Sequence, residues 1–151
     1  MKCIKANWYE TKIKYEKTFE DGNEHKVLET YVVAALSCME AETKIIENMK
    51  PFLGGEYKVT SAGEAKYQEI FLCDDNEGEK FYKAKVAFIT VDEKTEKEKL
   101  TNVLYLVQAD SLPAALKNIQ DEFGSTGLDY TIVGLNETKI VDVFRAIRDK
   151  K

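Results

Sequence analysis

The sequence predicts an α+β protein made by tandem duplication of a strand-strand-helix-strand-strand (ββαββ) unit. Two observations support this prediction. Blocks of similar sequence recur in the same order at an offset of 73 or 74 residues along a chain of 151 residues. Each set of blocks has strand-like alternation on both sides of one helix-like segment, and repetition at a fixed offset indicates a repeated structural unit. We therefore expect two repeats, at about residues 8–73 and 81–144, with antiparallel sheets and one helix per repeat.

The similar blocks extend from the first predicted strand of each repeat to the last. One such block can arise by chance between amphipathic segments, but five blocks in order are hard to obtain without duplication. The matched segments are Trp8-Tyr9 and residues 12–15 with Phe81-Tyr82 and residues 85–88, residues 31–37 with 105–111, 41–45 with 115–119, 57–59 with 130–132, and 66–71 with 139–144.

The first repeat begins with a predicted hairpin and continues into a capped helix. Residues 8–19 and 27–35 alternate as strands on either side of a polar turn. Ser37 followed by Glu40 is typical of a capping box, in which the serine oxygen accepts a backbone N–H and the glutamate reaches back to the cap. This pattern predicts a helix over residues 38–49. Its expected buried residues are Met39, Ile45, Ile46 and Met49.

Two more strands complete each predicted repeat. In the first repeat they are expected near residues 56–61 and 66–73, after Pro51 and the following glycines end the helix. The acidic segment 74–79 is the expected linker, and residues 145–151 are an expected charged tail. The second repeat is predicted to have strands near residues 81–91, 100–109, 128–134 and 138–144 and a helix near 111–123.

The two repeats are expected to form one compact domain, residues 1–151, about a pseudo-twofold axis. The reason is that a single helix per repeat leaves much of a sheet to be covered by the other copy. The predicted common core consists of Tyr9, Ile13, Tyr15, Val32, Ile45, Val59 and Phe71, with Tyr82, Val86, Phe88, Leu106, Ile119, Ile132 and Phe144 as their repeat partners.

The composition is typical of a soluble globular protein, with 44% hydrophobic and 32% charged residues. No apolar stretch is long enough to span a bilayer, and charged residues follow the start of the chain at once. We therefore expect a cytoplasmic protein with no membrane partner. The net charge of -5 argues against a protein that coats duplex DNA, but it allows a local basic surface.

Residues suited to catalysis or metal binding are few. The single histidine, His25, lies in a polar turn where nothing indicates a serine or cysteine that it could activate. Gly54 and Gly55 are not followed by the Lys-Ser or Lys-Thr of a phosphate-binding loop. Three widely spaced cysteines form no zinc or disulfide pattern, and segment 74–79 lacks the spacing of a calcium loop. The sequence therefore predicts no enzyme, no cofactor and no metal site.

Aromatic and lysine side chains recur together on the first strand of each repeat, on the face opposite the expected core. Proteins hold single-stranded nucleic acid in this way, because bases stack on exposed rings while lysines follow the phosphates. We therefore expect a non-catalytic protein that binds single-stranded DNA or RNA. The predicted binding residues are Trp8, Lys12, Lys14, Phe81, Lys83 and Lys85.

A second interpretation explains the same aromatic residues without a nucleic acid. Trp8 and Phe81 can pack at an interface between repeats or subunits, where large aromatic side chains are favoured. Exposed lysines on a strand also protect sheet edges from aggregation. Under this interpretation the protein is a homo-oligomeric interaction, structural or sequestering protein that binds no nucleic acid.

Four segments carry a resemblance to a known family. They are Trp8-Tyr9-Glu10-x-Lys12, the pattern Glu-Thr-Tyr-Val-Val-x-Ala-Leu-Ser-x-x-Glu-Ala-Glu over residues 29–42, Glu69-Ile70-Phe71, and Tyr-Leu-Val-Gln-Ala over residues 105–109. Together they resemble a domain-of-unknown-function family of gut Bacteroidetes and of their phages or mobile elements. The resemblance spans nearly the full chain. It implies that setting, but no activity, substrate or site residue.

Overall fold

Both halves of the chain contain the same series of elements. The structure, a computed structural model, describes residues 2–4, 6–73, 80–124 and 126–145; the expected linker at 74–79 and residues 146–151 of the expected tail lie outside the described residues. The elements are β1 (Lys2–Ile4), β2 (Trp8–Thr18), β3 (Glu24–Ala34), α1 (Cys38–Met49) with a short 3-10 turn (Lys50–Phe52), β4 (Tyr57–Ala65), β5 (Tyr67–Leu72), β6 (Lys80–Val91), β7 (Glu98–Ala109), α2 (Leu112–Gly124), β8 (Tyr130–Glu137) and β9 (Ile140–Phe144). The predicted α+β class is confirmed.

The described chain divides into two compact units, and neither is continuous in sequence. The N-terminal unit contains Ala6–Lys66 and the segment that begins at Lys139. The C-terminal unit contains Tyr67–Thr138 and β1. Their sheets have the strand orders β4-β2-β3-β9 and β1-β5-β7-β6-β8, respectively. The last strand of each predicted repeat therefore belongs to the sheet built by the other repeat.

This exchange of last strands makes both sheets mixed. Strand β9 pairs in parallel with β3, and β5 pairs in parallel with β7, whereas the hairpins β2-β3 and β6-β7 are antiparallel. The prediction of antiparallel sheets is wrong at the two exchanged pairs. Two parallel strands need a long crossover connection rather than a tight turn. Both pairs have one, because other elements lie between β3 and β9 and between β5 and β7 along the chain.

The pairing registers of the two sheets correspond residue by residue. In the N-terminal unit the β2-β4 register shifts between Lys12 and Ile13, and in the C-terminal unit the β6-β8 register shifts between Lys85 and Val86. Both positions differ by the offset of 73 found in the sequence. The exchanged pairs agree as well. Thr30 faces Ile140 in one sheet, and the residues at the repeat offset from them, Leu104 and Tyr67, face each other in the other sheet. The two halves thus share irregularities as well as strand order.

The core of the N-terminal unit lies between α1 and one face of its sheet. Strand β9 contributes the ring of Phe144, which stacks on Tyr31 with ring centroids 5.2 Å apart. Burying these aromatic rings and aliphatic chains supplies most of the stabilisation of the unit, at about 25 cal/mol for each Å² of apolar surface. The buried cluster consists of Ile13, Tyr15, Tyr31, Val33, Ile45, Met49 and Phe144.

The core of the C-terminal unit is more aromatic. Phe123 of α2 lies at its centre and contacts four rings edge-on or tilted, with centroids between 5.1 and 6.0 Å away. Such offset geometries suit the charge distribution of aromatic rings. The four rings belong to Phe71, Phe88, Tyr105 and Tyr130. Of the predicted core, Tyr9, Val59, Phe88 and Ile132 are half-buried rather than buried.

Helix α1 begins and ends where the sequence predicts. Ser37 caps it, because its Oγ accepts the Glu40 backbone N–H at 3.1 Å. The Glu40 carboxylate accepts the N–H of Leu36 at 3.1 Å, one residue before the position expected in a capping box. The prediction that Met39 is buried is wrong, since this side chain is 80% exposed. Six residues before Ile45, Met39 lies about 240° from it around the helix and so points away from the sheet.

Candidate functional site

The two aromatic residues of the predicted binding face are buried. Trp8 and Phe81 are each 1% exposed. The prediction that their rings form open stacking platforms is therefore wrong. Strand alternation assigns each position to the face opposite the helix, but alternation cannot reveal that this face is also covered at the strand end. A base cannot stack on a ring that no solvent reaches.

The four predicted lysines are exposed, but they belong to two different sheets. Lys12 and Lys14 lie on β2 in the N-terminal unit, and Lys83 and Lys85 lie on β6 in the C-terminal unit. Within each pair the residues are two apart, so both side chains leave the same face of their strand. The predicted site is thus two separate lysine pairs, each considered within its own sheet.

In the N-terminal unit two further lysines join the pair, and the sequence analysis missed both. Lys58 on β4 lies directly opposite Lys14, and Lys26 on β3 is two residues from Leu28, which faces Lys14 from the other side. Side chains opposite each other in a sheet leave the same face, so all four lysines share it. We call Lys12, Lys14, Lys26 and Lys58 the lysine face. Only the strand register reveals it.

Three carboxylates share the lysine face. Glu10 and Glu16 lie on β2, opposite Val32 and Lys26, respectively, and Glu24 lies on β3, two residues from Lys26. Among the residues that the structure describes, however, none of the four lysines forms an ion pair or a side-chain hydrogen bond with a carboxylate. Because like charges placed directly opposite each other in a sheet are destabilising, the pairing of Lys14 with Lys58 opposes folding. This pairing is what an anion would relieve.

A cavity of about 540 Å³ opens at one end of the lysine face. Lys14, Lys26 and Lys58 line it together with one carboxylate, Glu56, so the lining charge is three positive minus one negative, or +2. Tyr57, 46% exposed, also lines it. Tyr57 lies opposite Tyr15, so its side chain leaves the other face of the sheet from Lys14 and Lys58 and adjoins the cavity only at the end of the edge strand β4.

The described residues of the C-terminal unit form no equivalent cluster of charge. The sequence offset places Ala87 at the position of Lys14, Leu100 at that of Lys26 and Thr131 at that of Lys58, and the strand pairs Ala87-Thr131 and Ile89-Leu100 confirm the correspondence. All three replacements are uncharged. Of the lysine face, only Lys12 has a counterpart, Lys85. The cluster is a feature of one unit.

The opposite face of the same sheet carries a hydrogen-bonded carboxylate, Glu29. Its Oε1 accepts the hydroxyl protons of Tyr15 at 2.6 Å and of Tyr31 at 2.9 Å, and its Oε2 pairs with the ammonium group of Lys17 at 3.2 Å. Burial by itself would raise the pKa of Glu29, but these hydrogen bonds and the Lys17 charge lower it below its ordinary value. Burial and the bond to Glu29 raise the pKa of both tyrosines. Tyr15 also lines the cavity, so the network supports its wall.

Two further properties bear on the class of protein. In the described part of the chain, no helix is both long and apolar enough to cross a membrane. Within the same residues, His, Cys, Asp and Glu side chains form no group of three that could hold a metal ion.

The chain is thus an α+β protein of two mixed sheets, one of which presents four lysines without an ion-pair partner in the described part of the chain, three of them lining a cavity. It matches the family described as domain of unknown function (DUF4494) over residues 7–146, and it belongs to that family. A comparison with curated proteins finds no relative that matches.

Proposed function

We propose that the protein binds single-stranded nucleic acid through the lysine face of its N-terminal unit, without catalysing a reaction. The observation that carries the proposal is the convergence of Lys12, Lys14, Lys26 and Lys58 on one sheet face, where none of them has a carboxylate partner among the described residues. Lysine contacts to phosphates supply the sequence-independent part of nucleic-acid affinity. Such contacts also offset the repulsion between Lys14 and Lys58.

A single strand suits this face better than a duplex. Tyr57, 46% exposed, lines the cavity at the end of the edge strand β4, and only an unpaired base can bend around that end of the sheet to stack on its ring. The net charge of -5 confines attraction to this local surface.

The salt dependence of oligonucleotide binding tests this proposal. Four lysine contacts predict that the logarithm of affinity falls with the logarithm of salt concentration with a slope of about -2.8, or about 50-fold in affinity between 50 and 200 mM salt. Lys14→Gln and Lys58→Gln should each reduce the magnitude of the slope by about 0.7, while binding of all sequences weakens alike. Fluorescence anisotropy with labelled 12-nucleotide strands measures both quantities.

Stability measurements on the same variants separate binding from folding. Because Lys58 repels Lys14, Lys58→Gln should leave the free energy of unfolding unchanged or raise it by a few tenths of a kcal/mol. A lower affinity combined with equal or greater stability marks a binding residue. Lys83 and Lys85, the other two lysines predicted from the sequence, lie in the C-terminal unit. Lys83→Gln and Lys85→Gln are therefore the matched controls and should weaken binding less than Lys14→Gln.

Wild-type protein that ignores oligonucleotides at low salt would contradict the proposal. The homo-oligomeric interaction or sequestering protein described above would then be the better account. Analytical ultracentrifugation of the same sample decides whether a defined assembly forms.

We further propose that the two halves arose by tandem duplication and that the N-terminal copy then acquired the binding surface. The shared register shifts at Lys12 and Lys85 support the first part, and the uncharged residues Ala87, Leu100 and Thr131 support the second. A cytoplasmic location and a phage or mobile-element setting belong to the same proposal.

A further inference from the structure

The cavity at the end of the lysine face differs from the rest of that face in shape and in charge density. Three lysines from three different strands, Lys14, Lys26 and Lys58, surround one space, whereas Lys12 lies further along β2 on the open sheet. A row of lysines suits a chain of phosphodiesters, each of which carries one negative charge. Three lysines around one cavity suit a single group of higher charge.

We propose that this cavity binds a phosphomonoester, either at the end of a nucleic-acid strand or on a free mononucleotide. This inference rests on the proposed function and names the part of the ligand that the cavity selects. A phosphomonoester carries about -1.5 to -2 charges at neutral pH, which matches the net lining charge of +2. An internal phosphodiester would leave about one positive charge uncompensated.

The size and the walls of the cavity fit a nucleotide. Its volume of about 540 Å³ lies within the range of small-ligand pockets, about 300–1,000 Å³. Tyr57 lies at the rim of the cavity, at the end of the edge strand β4, where the base next to the phosphate can reach its exposed ring. The Glu16 carboxylate lies against Gly55 and bounds the cavity on that side.

The cavity recognises charge rather than the direction of the strand. A lysine ammonium group is a point charge on a flexible stem and imposes no bidentate geometry on its partner. We therefore expect phosphates at the 5′ and the 3′ end to be bound alike, and a nucleoside monophosphate to compete with both. Inorganic phosphate, which lacks a base to stack on Tyr57, should compete less well.

The test compares 12-nucleotide strands of one sequence that carry a 5′-phosphate, a 3′-phosphate or hydroxyl groups at both ends. The phosphorylated strands should bind about tenfold more tightly, because charge-assisted contacts to the added charge are made only there. Lys26→Gln and Lys58→Gln should abolish this difference. Lys12→Gln is the matched control on the same face outside the cavity, and it should weaken all three strands by the same factor.

The outcomes separate this inference from the proposed function. Equal binding of phosphorylated and hydroxyl strands would overturn the phosphomonoester site and leave nucleic-acid binding intact. Binding of adenosine monophosphate, lost in Lys58→Gln, without binding of any strand would support the cavity site and overturn the nucleic-acid function. Absence of binding to the strands and to the mononucleotide would overturn both. Circular dichroism of each variant confirms that it is folded.

Discussion

Trp8 is the single tryptophan of the chain, and its surroundings make it a reporter of folding. Its side chain is 1% exposed, and its indole N–H has no hydrogen-bond partner among the described residues. A buried donor without a partner costs about 1–3 kcal/mol, which burial of the large apolar ring must offset. Because unfolding exposes the indole to water, its fluorescence is the signal to follow in the urea melts below.

Glu29 is the residue at which stability should depend most clearly on a single charge. Glu29→Gln keeps the shape of the side chain but removes the charge that accepts bonds from Tyr15, Tyr31 and Lys17. We expect a loss of about 1–3 kcal/mol of unfolding free energy at pH 7 in urea melts, since hydrogen bonds to charged groups contribute about that much. Glu16→Gln, on the opposite face of β2, is the control and should change stability little.

The pH dependence of the same pair of proteins tests the lowered pKa of Glu29. The folded pKa lies below the unfolded value near 4.5, so the folded state binds this proton less readily than the unfolded state. The stabilisation is therefore fully present above pH 4.5 and is lost as the pH falls through the folded pKa. The stability difference between wild type and Glu29→Gln should shrink between pH 6 and pH 3. A difference that stays constant or grows on acidification would contradict this account.

At the scale of single elements, the N-cap of α1 is the simplest test. Ser37→Ala removes the oxygen that accepts the Glu40 N–H, and substitutions of this kind cost about 1 kcal/mol. The Glu40 side chain supports the same turn, because hydrogen bonds from Lys44 and from the Leu36 N–H lower its pKa. We expect urea melts to show a loss of about 1 kcal/mol, and melts that coincide with the wild type would show that the cap contributes nothing.

Ser111 provides the matched variant in the second helix. Its Oγ accepts the N–H of Ala114 at 3.3 Å. Ala114 stands where α1 has Glu40, so this position supplies no carboxylate to the turn. Ser111→Ala should therefore cost less than Ser37→Ala. The opposite ranking would mean that hydrogen-bond length and the glutamate do not govern the strength of these caps.

The sequence predicts the elements better than their partners. Alternation in β2 and the Ser37 cap are local signals, so strands and helices could be placed within a few residues. The pairing of β3 with Ile140–Phe144, more than a hundred residues away, leaves no local signal, and neither does the register that brings Lys58 opposite Lys14. For this reason half of the lysine face was predicted, and the cavity was not. The burial of Trp8 was missed because alternation describes only two faces of a strand.

At the scale of the whole molecule, the exchange of last strands predicts where a core substitution is felt. Phe144→Ala removes a ring that stacks on Tyr31, and Phe71→Ala removes one that stacks on Tyr105 at 5.5 Å. Each should cost about 3–5 kcal/mol. Hydrogen exchange measured by mass spectrometry locates the effect, because amides exchange fastest in the region that opens first.

The two variants should have reciprocal exchange patterns. Phe144→Ala, near the C-terminus, should increase exchange most in β2 and β3, and Phe71→Ala, in the first half, should increase it most in β6 and β7. Each substitution thus acts on the other half of the sequence. Faster exchange confined to the half that carries the substitution would contradict the exchanged pairing.

The place of β9 also affects how the protein is made on the ribosome. Strand β3 ends at Ala34, yet its neighbour β9 begins only at Ile140, 106 residues later. At about 5–20 residues per second, translation leaves that edge of the first sheet open for about 5–20 s. During this interval the nascent N-terminal unit presents unpaired backbone groups to other chains, including the finished end of a neighbouring copy on the same messenger RNA. Slow synthesis near residue 139 would therefore favour pairing of β3 with the β9 strand of another molecule over pairing with β9 of the same chain.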